Sequence, residues 1–313
     1  MSPALRGALL ALAAFGVYST HDVVVKTLGA HYSTFQIVFF VGLFSFPLIT
    51  LMLMQDKTDG NLIPRHPWWS AVRSFASLGA LVLGFFAFSQ LPMAQTYAIL
   101  FATPMLITLL SIPMLGEKVG LRRGLAVVVG MIGVLIVLRP GSAPLSLGHL
   151  AALGGALSGA ISSIIVRKIG SNERSVVLML YPMMLQVLGM ALLMPWHYVP
   201  MPFEHLALNA LVAAFSVVAG LLLIAAYRAA PAVVAAPMQY SQLLWAAFYG
   251  WLFFNESIDF WTGVGAAVIV GSGLYIVLRE GRPEVSQNQP VSQNRWRLDA
   301  GPILRLGLWP RRK

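Results

Sequence analysis

Hydrophobic residues fill most of the chain in long runs, and short polar or turn-forming segments separate these runs. Ten of the runs have about the 17–25 residues with which a helix crosses a bilayer. They cover residues 5–27, 33–54, 68–89, 93–115, 121–139, 148–168, 175–195, 206–228, 233–254 and 259–279. The breaks around Pro92 and Pro231 are only a few residues long, so they predict tight helical hairpins. The pattern predicts an all-α integral membrane protein with ten transmembrane helices in a lipid bilayer.

The composition supports this prediction and removes several kinds of chemistry. Hydrophobic residues make up 58% of the 313 positions and charged residues 10%, whereas a soluble domain carries roughly 25% charged residues. Cysteine is absent, which excludes disulfides, thiolate metal sites and thiol nucleophiles. The sequence has no nucleotide-binding G-x-x-x-x-G-K-[ST] loop and no histidines at metal-ligand spacing. We therefore expect neither a metal nor a cofactor.

The net charge of +10 has a topological explanation. With the N-terminus assumed to lie inside, 19 of the 21 basic residues fall on that side of the membrane, and only Lys26 and Arg139 fall on the other. Such a bias marks the cytoplasmic side of a membrane protein. We therefore predict a multi-pass protein of the inner (plasma) membrane with both termini in the cytoplasm. No nucleic-acid partner is needed to explain the charge.

The two halves of the sequence resemble each other. A shift of 139 residues superimposes Glu117 on Glu256, and a shift of 140 superimposes the run 136–139 on 276–279. Each half then holds five predicted spans. Because five is an odd number, the second copy must cross the membrane in the opposite sense to the first. The sequence therefore predicts an inverted 5+5 repeat.

This repeat divides the chain and indicates a class of function. We predict a first five-helix repeat over residues 1–141, a second over 142–280, and a cytoplasmic tail without ordered structure over 281–313. Inverted repeats form a substrate site near the bilayer midplane, and rocking one repeat against the other gives alternating access. The pattern therefore favours a transporter. The alternative is that the duplicated helices only build a stable bundle.

Both copies carry the same signature in their fourth and fifth spans. The first copy contains Ala94, Pro104, Gly116-Glu117, Gly124, Gly133 and Leu138, and the second contains Pro237, Tyr240, Glu256, Gly263, Gly273 and Leu278. This pattern resembles EamA-type proteins of the drug/metabolite transporter superfamily, over about residues 5–280. The resemblance implies ten helices, an inverted repeat, and export or uptake of small metabolites such as amino acids. The chain departs from it at Asn255, where glycine is usual, and at Leu243, where the first copy has a proline.

One cluster of ionisable residues lies well within a span: His21, Asp22 and, one turn later, Lys26. Such groups are costly inside a bilayer and indicate a functional site by default. One interpretation makes Asp22 or His21 a proton or substrate-amine site that faces a cavity, with Tyr18 as a weaker candidate. The other is a structural ion pair between Asp22 and Lys26 near the outer interface, because an acid four residues before a base is the favoured order on a helix.

The ninth span is more polar than the others, and its polar residues follow helical spacing. Its amide, phenol and indole groups suit a zwitterionic or aromatic substrate, since they orient it without adding charge. Gln242 corresponds to Thr103 in the first copy, and Tyr240 to Phe101. The predicted substrate-binding residues are therefore Tyr18, His21, Asp22, Thr103, Gln239, Tyr240, Gln242 and Trp245. The alternative role for such groups is hydrogen bonding between helices, worth about 0.6 kcal/mol on average.

Two glutamates end the fourth spans of the two halves. We predict Glu117 and Glu256 near the cytoplasm, where each caps the following helix or pairs with Arg122 and Arg123 rather than contacting substrate.

An intramembrane enzyme is the main alternative from another class, and the sequence argues against it. An aspartyl protease would need a second mid-span carboxylate beside Asp22, and the sequence contains none. The sequence favours a secondary transporter for small polar or zwitterionic metabolites, with amino acids as the first candidates and export as the favoured direction. A lipid flippase or an uptake carrier on the same fold is the alternative. Proton coupling through Asp22 and the oligomeric state stay open.

Overall fold

The computed structural model describes residues 3–54, 62–117, 119–140, 145–169, 173, 175–230 and 232–280. These residues form helices joined by short connections, with no strand among them. The all-α prediction is therefore confirmed for this part of the chain. The predicted tail over 281–313 and the turn residue Pro231 lie outside the described residues.

Twelve α-helices and one 3₁₀ segment follow each other along the described chain. They are α1 Pro3–Gly29, α2 Thr34–Met54, α3 Pro67–Gln90, α4 Met93–Leu100, α5 Thr103–Leu115, α6 Leu121–Leu138, α7 Leu147–Ile169, α8 Ser175–His197, α9 Phe203–Ala229, α10 Ala232–Ala235, the 3₁₀ segment Ala236–Tyr240, α11 Ser241–Phe254 and α12 Phe260–Glu280. Their ends fall within a few residues of the boundaries that the apolar runs predict.

Six helical segments of the described chain are long and apolar enough to cross a membrane. They are Leu5–Gly29, Pro67–Gln90, Met93–Leu115, Leu147–Ile169, Val177–His197 and Phe203–Tyr227. Shorter apolar helices of 10–17 residues cover Thr34–Leu48, Gly124–Leu138 and Phe260–Ile276. The lengths and hydropathies agree with a multi-pass membrane protein, and the count of ten spans stays a prediction.

The sequence predicts one continuous segment for each of the fourth and ninth spans, whereas the structure divides each of them into separate helices. In the first half, α4 ends at Leu100 and α5 begins at Thr103, and in the second half the 3₁₀ segment separates α10 from α11. Pro104 and Pro237 lie at these breaks. Proline cannot donate a helical hydrogen bond, and it disfavours helical backbone in the residue before it. Each break therefore follows from a proline, although Pro104 aligns with Leu243 and Pro237 with Ala98 under the shift of 139.

The helices of one half pack mainly on helices of the other half. Helix α1 packs on α9, α3 on α7, α2 on α8, α6 on α12 and α4 on α11. At the crossing of α6 and α12 the backbones approach closely, because a side chain on Gly133 or on Gly265 would collide with the carbonyl of the other glycine. Small residues of this kind allow tight helix packing in membranes.

One face of α6 remains uncovered by protein and is entirely apolar. Its exposed side chains are those of Leu125, Val128, Val129, Ile132 and Leu135, each about half accessible. Their spacing follows the helical period, so they form one stripe. An apolar stripe of this size on a helix surface fits contact with lipid hydrocarbon.

Candidate substrate site

A cluster of polar side chains lies where α1, α4 and α11 meet. Asp22 is its centre, with an exposed fraction of 9%. One carboxylate oxygen of Asp22 lies 2.7 Å from Nδ1 of His21, and the other accepts a hydrogen bond from the Tyr97 hydroxyl. The Tyr97 hydroxyl also accepts a 3.3 Å hydrogen bond from Nε2 of Gln242 and lies 3.4 Å from Oγ of Ser19. We call these five residues the Asp22 cluster.

Tyr97 holds the cluster together, and it is absent from the predicted site residues. Its ring is buried between the rings of Phe88 and Phe101, with centroids 5.1 and 5.9 Å away. Its hydroxyl thereby reaches both Asp22 and Gln242, which the sequence interpretation left unconnected. A phenol within the apolar span Met93–Leu115 was the available signal. Comparison of the two repeats does not identify Tyr97, because the shift of 139 aligns it with Ala236.

A second set of contacts lies beside the cluster, along the seam between α1 and α11. The Trp245 ring stacks on Tyr249 with centroids 5.9 Å apart, and the Tyr249 hydroxyl lies 3.0 Å from Oγ1 of Thr20. The ring of Trp245 also packs against Gly16, where an added Cβ would lie only 3.4 Å from it. Trp245 lies one helical turn from Gln242 and remains half-buried, and its role in substrate binding stays a prediction.

Tyr240 is placed differently from Gln242 and Trp245. It is 6% exposed, its ring lies 5.3 Å from the Phe101 ring, and its hydroxyl occupies the space that a side chain on Gly273 would need. Tyr240 therefore packs against α12 and connects the two helix breaks, at Phe101 and at the end of the 3₁₀ segment.

Three further predicted residues lie outside the Asp22 cluster. Oγ1 of Thr103 donates to the Leu100 carbonyl at 2.7 Å and faces Ala156 on α7. The Tyr18 hydroxyl faces Gly220 on α9. Gln239 lies half-buried in the 3₁₀ segment. The structure brings together His21, Asp22 and Gln242, with Trp245 beside them.

The predicted ion pair between Asp22 and Lys26 does not form. Nζ of Lys26 lies 2.8 Å from Oε1 of Glu256 and also donates to the carbonyls of Phe88 and Leu91. Lys26 therefore pairs with the second half of the chain, whereas Asp22 turns toward His21 and Tyr97. The favourable i,i+4 spacing does not produce an ion pair, because Lys26 binds Glu256 at the end of α11 and Asp22 binds His21 and Tyr97.

The prediction for the two glutamates is wrong in its partners, and its placement of both near the cytoplasm cannot hold. Glu256 pairs with Lys26 at the end of α1, and Glu117 pairs with Arg167 near the end of α7. Successive spans alternate in direction, so α5 and α11 end on opposite sides of the membrane. The two glutamates therefore cannot both lie near the cytoplasm, and neither uses Arg122.

Both glutamates follow a residue with left-handed backbone. Gly116 has a φ of 70° and Asn255 a φ of 52°. This backbone folds each glutamate N–H back onto its helix, toward the Ser111 carbonyl at 3.3 Å and the Gly250 carbonyl at 2.9 Å. Asparagine tolerates left-handed backbone better than most residues. The departure from the family pattern at Asn255 thus keeps the same helix ending.

An exposed ion pair between Arg139 and Asp259 joins the end of α6 to the start of α12. Partial burial opposes ionisation of Asp259, but hydrogen bonds from Thr262 and the charge of Arg139 hold the pKa of that carboxyl below its ordinary value. This pair lies just beyond the apolar segments Gly124–Leu138 and Phe260–Ile276, and neither residue is part of the Asp22 cluster. Among the described residues, no group of three or more histidine and acidic side chains is arranged to hold a metal ion.

The arrangement around Asp22 can bind a cation or a proton. A carboxylate offers about four acceptor positions, and His21 and Tyr97 use two of them. The remaining capacity suits an ammonium group, while Gln242 can hydrogen-bond a carboxyl or carbonyl group and Trp245 can pack on an apolar or aromatic surface.

Comparisons with known proteins agree with this architecture. The model of the EamA-like transporter family matches residues 5–139 and 146–278. The chain is 25% identical to the S-adenosylmethionine uptake transporter of Rickettsia prowazekii, over 87% of this chain and 92% of that protein. It is 29% identical to the riboflavin transporter of Rhizobium johnstonii, over 90% and 94% of the two chains. It is 25% identical to the pseudopaline exporter of Pseudomonas aeruginosa, over 84% and 93%.

A solved crystal structure shows the same fold at 17% identity, with a TM-score of 0.56 and coverage of 87% of this chain and 96% of that chain. The family match covers both halves and nearly all the described residues, and the family consists of transporters rather than enzymes. The chain belongs to the EamA-like transporter family of the drug/metabolite transporter superfamily.

Proposed function

We propose that this protein is a secondary transporter that carries small zwitterionic metabolites across the inner membrane by alternating access. Amino acids and their derivatives are the first candidates, and export is the favoured direction. The observation that carries the proposal is the buried Asp22 carboxylate, which lies between helices of both halves with only His21 and Tyr97 as described partners.

The position of Asp22 supports a substrate role over a purely structural one. A charged side chain inside a membrane is costly, by up to roughly 2.5–3.5 kcal/mol at its centre, and Lys26 is already engaged by Glu256. Two broken helices adjoin the cluster, and broken helices at corresponding positions of two repeats are a feature of transporter binding sites. In the structural alternative, the described group that could compensate this charge is the imidazole of His21, 2.7 Å away.

The proposed pose uses residues from both halves. The substrate ammonium group binds Asp22, its carboxylate accepts a hydrogen bond from Gln242, and its side chain packs along Trp245 and Tyr249. S-adenosylmethionine, named for one relative, carries both an α-amino and a carboxylate group, so it has the chemistry that this pose needs. The relatives differ in direction, since one is named as an uptake transporter and another as an exporter.

Proton coupling is part of the proposal. A proton and a substrate ammonium group would compete for the same Asp22 carboxylate, so binding of one would release the other. One charge moved across 100 mV is worth about 2.3 kcal/mol, which is enough to drive useful accumulation. His21, in contact with Asp22 at 2.7 Å, would pass the proton toward the cavity.

The test compares the metabolites of medium and cytosol by mass spectrometry in cells that express the wild type or Asp22→Asn. Asp259→Asn is the matched control, because it removes an exposed carboxylate that is not part of the Asp22 cluster. We expect a few amino-containing metabolites in the medium with the wild type and the control, and at least about tenfold less with Asp22→Asn, because a hydrogen bond to a charged group is worth about 1.5–3 kcal/mol.

Each other outcome has a definite meaning. Depletion of the same metabolites from the medium would indicate uptake instead of export. Unchanged metabolites together with altered lipid distribution would favour a flippase. Equal transport by Asp22→Asn at matched membrane levels would contradict the proposed site. Proton coupling is tested in proteoliposomes, where an imposed pH gradient should accelerate wild-type flux and leave the residual flux of Asp22→Asn unaffected.

A further inference from the structure

Two buried ion pairs lie at opposite ends of the protein. Helix α3 passes both of them: the Trp69 ring contacts Lys168, next to Arg167, and the Phe88 carbonyl contacts Lys26. The 19 residue steps from Trp69 to Phe88 span roughly 28 Å of helix, about the thickness of the hydrocarbon core. One pair therefore lies near each membrane surface.

Each pair joins the two halves in the same way. Lys26 at the end of the first helix of one half pairs with Glu256 of the other half, and Arg167 near the end of α7 pairs with Glu117. The repeat relates Glu117 to Glu256, and it places Lys26 on Lys168, the neighbour of Arg167. The two pairs are therefore counterparts on opposite sides of the membrane.

The pair at the Glu256 end is fully connected to its surroundings. Oε1 of Glu256 contacts Lys26 at 2.8 Å, and Oε2 accepts a 2.8 Å hydrogen bond from the backbone N–H of Met93, the first residue of α4. Lys26 also donates to the carbonyls of Phe88 and Leu91. We call this arrangement the Glu256 clamp, because it fixes the end of α11 to the hairpin between α3 and α4.

The pair at the Glu117 end is incompletely connected. Glu117 contacts Arg167, but Oε2 of Glu117 and Nη1 of Arg167 are buried with no hydrogen-bond partner in the described part of the chain. The shift of 139 places Met93 on Ala232, the first residue of α10. The contact that would complete this second pair is therefore the N–H of Ala232, on the hairpin between α9 and α10.

We propose that these two pairs are alternating clamps: the structure has the Glu256 clamp closed and the Glu117 clamp open, and in the opposite state Glu117 binds the N–H of Ala232 while Glu256 releases Met93. This inference rests on the proposed transport function only in requiring two alternating states. A buried acceptor without a partner is costly. Closure of the Glu117 clamp would satisfy that acceptor, and simultaneous release of Glu256 would open the other end of the same substrate path.

The test measures distances by pulsed electron paramagnetic resonance between pairs of spin labels. The natural sequence has no cysteine, so labels attach only where cysteine is introduced. Gln90→Cys with Phe260→Cys reports on the Glu256 end, and the counterpart pair Ala229→Cys with Leu121→Cys reports on the Glu117 end. These sites follow the same shift of 139, and Phe260 and Leu121 are 74% and 80% exposed.

Glu256→Gln removes the charge that holds the closed clamp. We expect the Gln90–Phe260 distance to lengthen and the Ala229–Leu121 distance to shorten, as a state of ordinarily about 0.1–10% population becomes the major one. Asp259→Asn removes a carboxylate at the same end, and this control should leave both distances unchanged. If both distances lengthened, or neither changed in a folded protein, the alternating clamps would be refuted.

A second variant tests the contact that is absent from this state. Ala232→Pro deletes the backbone N–H that Glu117 is proposed to bind, and proline is well tolerated at the first position of a helix. Alone it should leave both resting distances unchanged. Combined with Glu256→Gln it should abolish the shortening at the Glu117 end, whereas Ala232→Gly with Glu256→Gln should retain it. Shortening in the proline variant would overturn the proposed contact. These distances are measured without substrate, so an incorrect substrate class would not affect them.

Discussion

The fourth spans of the two halves have the same plan but carry different chemistry. Each is broken near its middle by a proline-containing segment, and each ends in left-handed backbone followed by a glutamate. In the first half, Tyr97 supplies a hydroxyl to Asp22, whereas the corresponding residue of the second half is Ala236. In the second half, Gln242 reaches the cluster, whereas its counterpart Thr103 bonds the neighbouring backbone.

This comparison separates two kinds of position in a duplicated sequence. Positions that shape the backbone remain equivalent in both copies, because each copy must break and end its helix in the same way. Positions of the proposed substrate site diverge, because a single site between the halves needs a group from only one copy at each point. Asp22 is an example, since a shift of 142 places it on the apolar Ile164.

The largest expected effect concerns the two tyrosines of the broken spans. Tyr97→Phe removes the hydroxyl that links Asp22 to Gln242, so we expect transport to fall about tenfold, the equivalent of roughly 1.4 kcal/mol. Tyr240→Phe removes a hydroxyl that packs against Gly273 and should change transport less than about twofold. Initial rates in proteoliposomes at matched protein levels would measure both.

Equal losses of transport rate in the two tyrosine variants would contradict the proposed difference between the two spans, because Tyr240 would then contribute to transport as well. An unchanged rate in Tyr97→Phe would mean that Asp22 is positioned by His21 alone. Thermal unfolding in detergent should be similar for both variants, which separates a lost function from a lost fold.

A smaller effect concerns the two helix ends. Gly116→Ala forces an alanine into left-handed backbone and should destabilise the protein by about 1–2 kcal/mol. Asn255→Gly places the usual family residue in the same conformation and should leave stability unchanged or slightly raised. Reversible unfolding in mixed micelles of sodium dodecyl sulfate and a mild detergent would measure the difference. Equal destabilisation by the two substitutions would show that the two helix ends are not equivalent.

The smallest effect concerns the exposed ion pair of Arg139 and Asp259. Because the pKa of Asp259 is lowered in the folded protein, its ionised form contributes stability above the ordinary value of 3.8, and this contribution is lost as the pH falls through the folded pKa. Unfolding of the wild type and Asp259→Asn should therefore differ slightly at neutral pH and converge in acid. Solvent screens an exposed pair of this kind, so a large difference at neutral pH would contradict its assignment as a surface contact.

The helices could be predicted from the sequence because lipid imposes a simple rule on them. A spanning helix needs about 20 predominantly apolar residues, so its ends are visible as polar breaks, and the observed ends agree. The breaks inside the fourth and ninth spans were also signalled, by Pro104 and Pro237, but the apolar runs continued through them. The length of an apolar run predicts the length of the membrane-spanning segment. The position of a proline within the run predicts whether that segment is one continuous helix or two.

The partners of the charged residues could not be predicted in the same way. Asp22 and Lys26 have favourable spacing on one helix, yet each finds its partner on another helix. Glu256 lies 230 residues from Lys26 in the chain, and only the packing of the two halves brings them together. The sequence therefore identified His21, Asp22 and Gln242, but neither Tyr97 nor the contacts that connect them.

The contact between the Phe101 and Tyr240 rings has an evolutionary consequence. These residues occupy the same place in the two copies, and their ring centroids lie 5.3 Å apart. A residue that contacts its own counterpart lies beside a two-fold axis, as in a symmetric dimer of identical subunits. Before gene duplication, a five-helix ancestor could therefore have formed this contact by pairing with a second copy of itself. Gene fusion would then have freed each copy to acquire its own half of the Asp22 cluster.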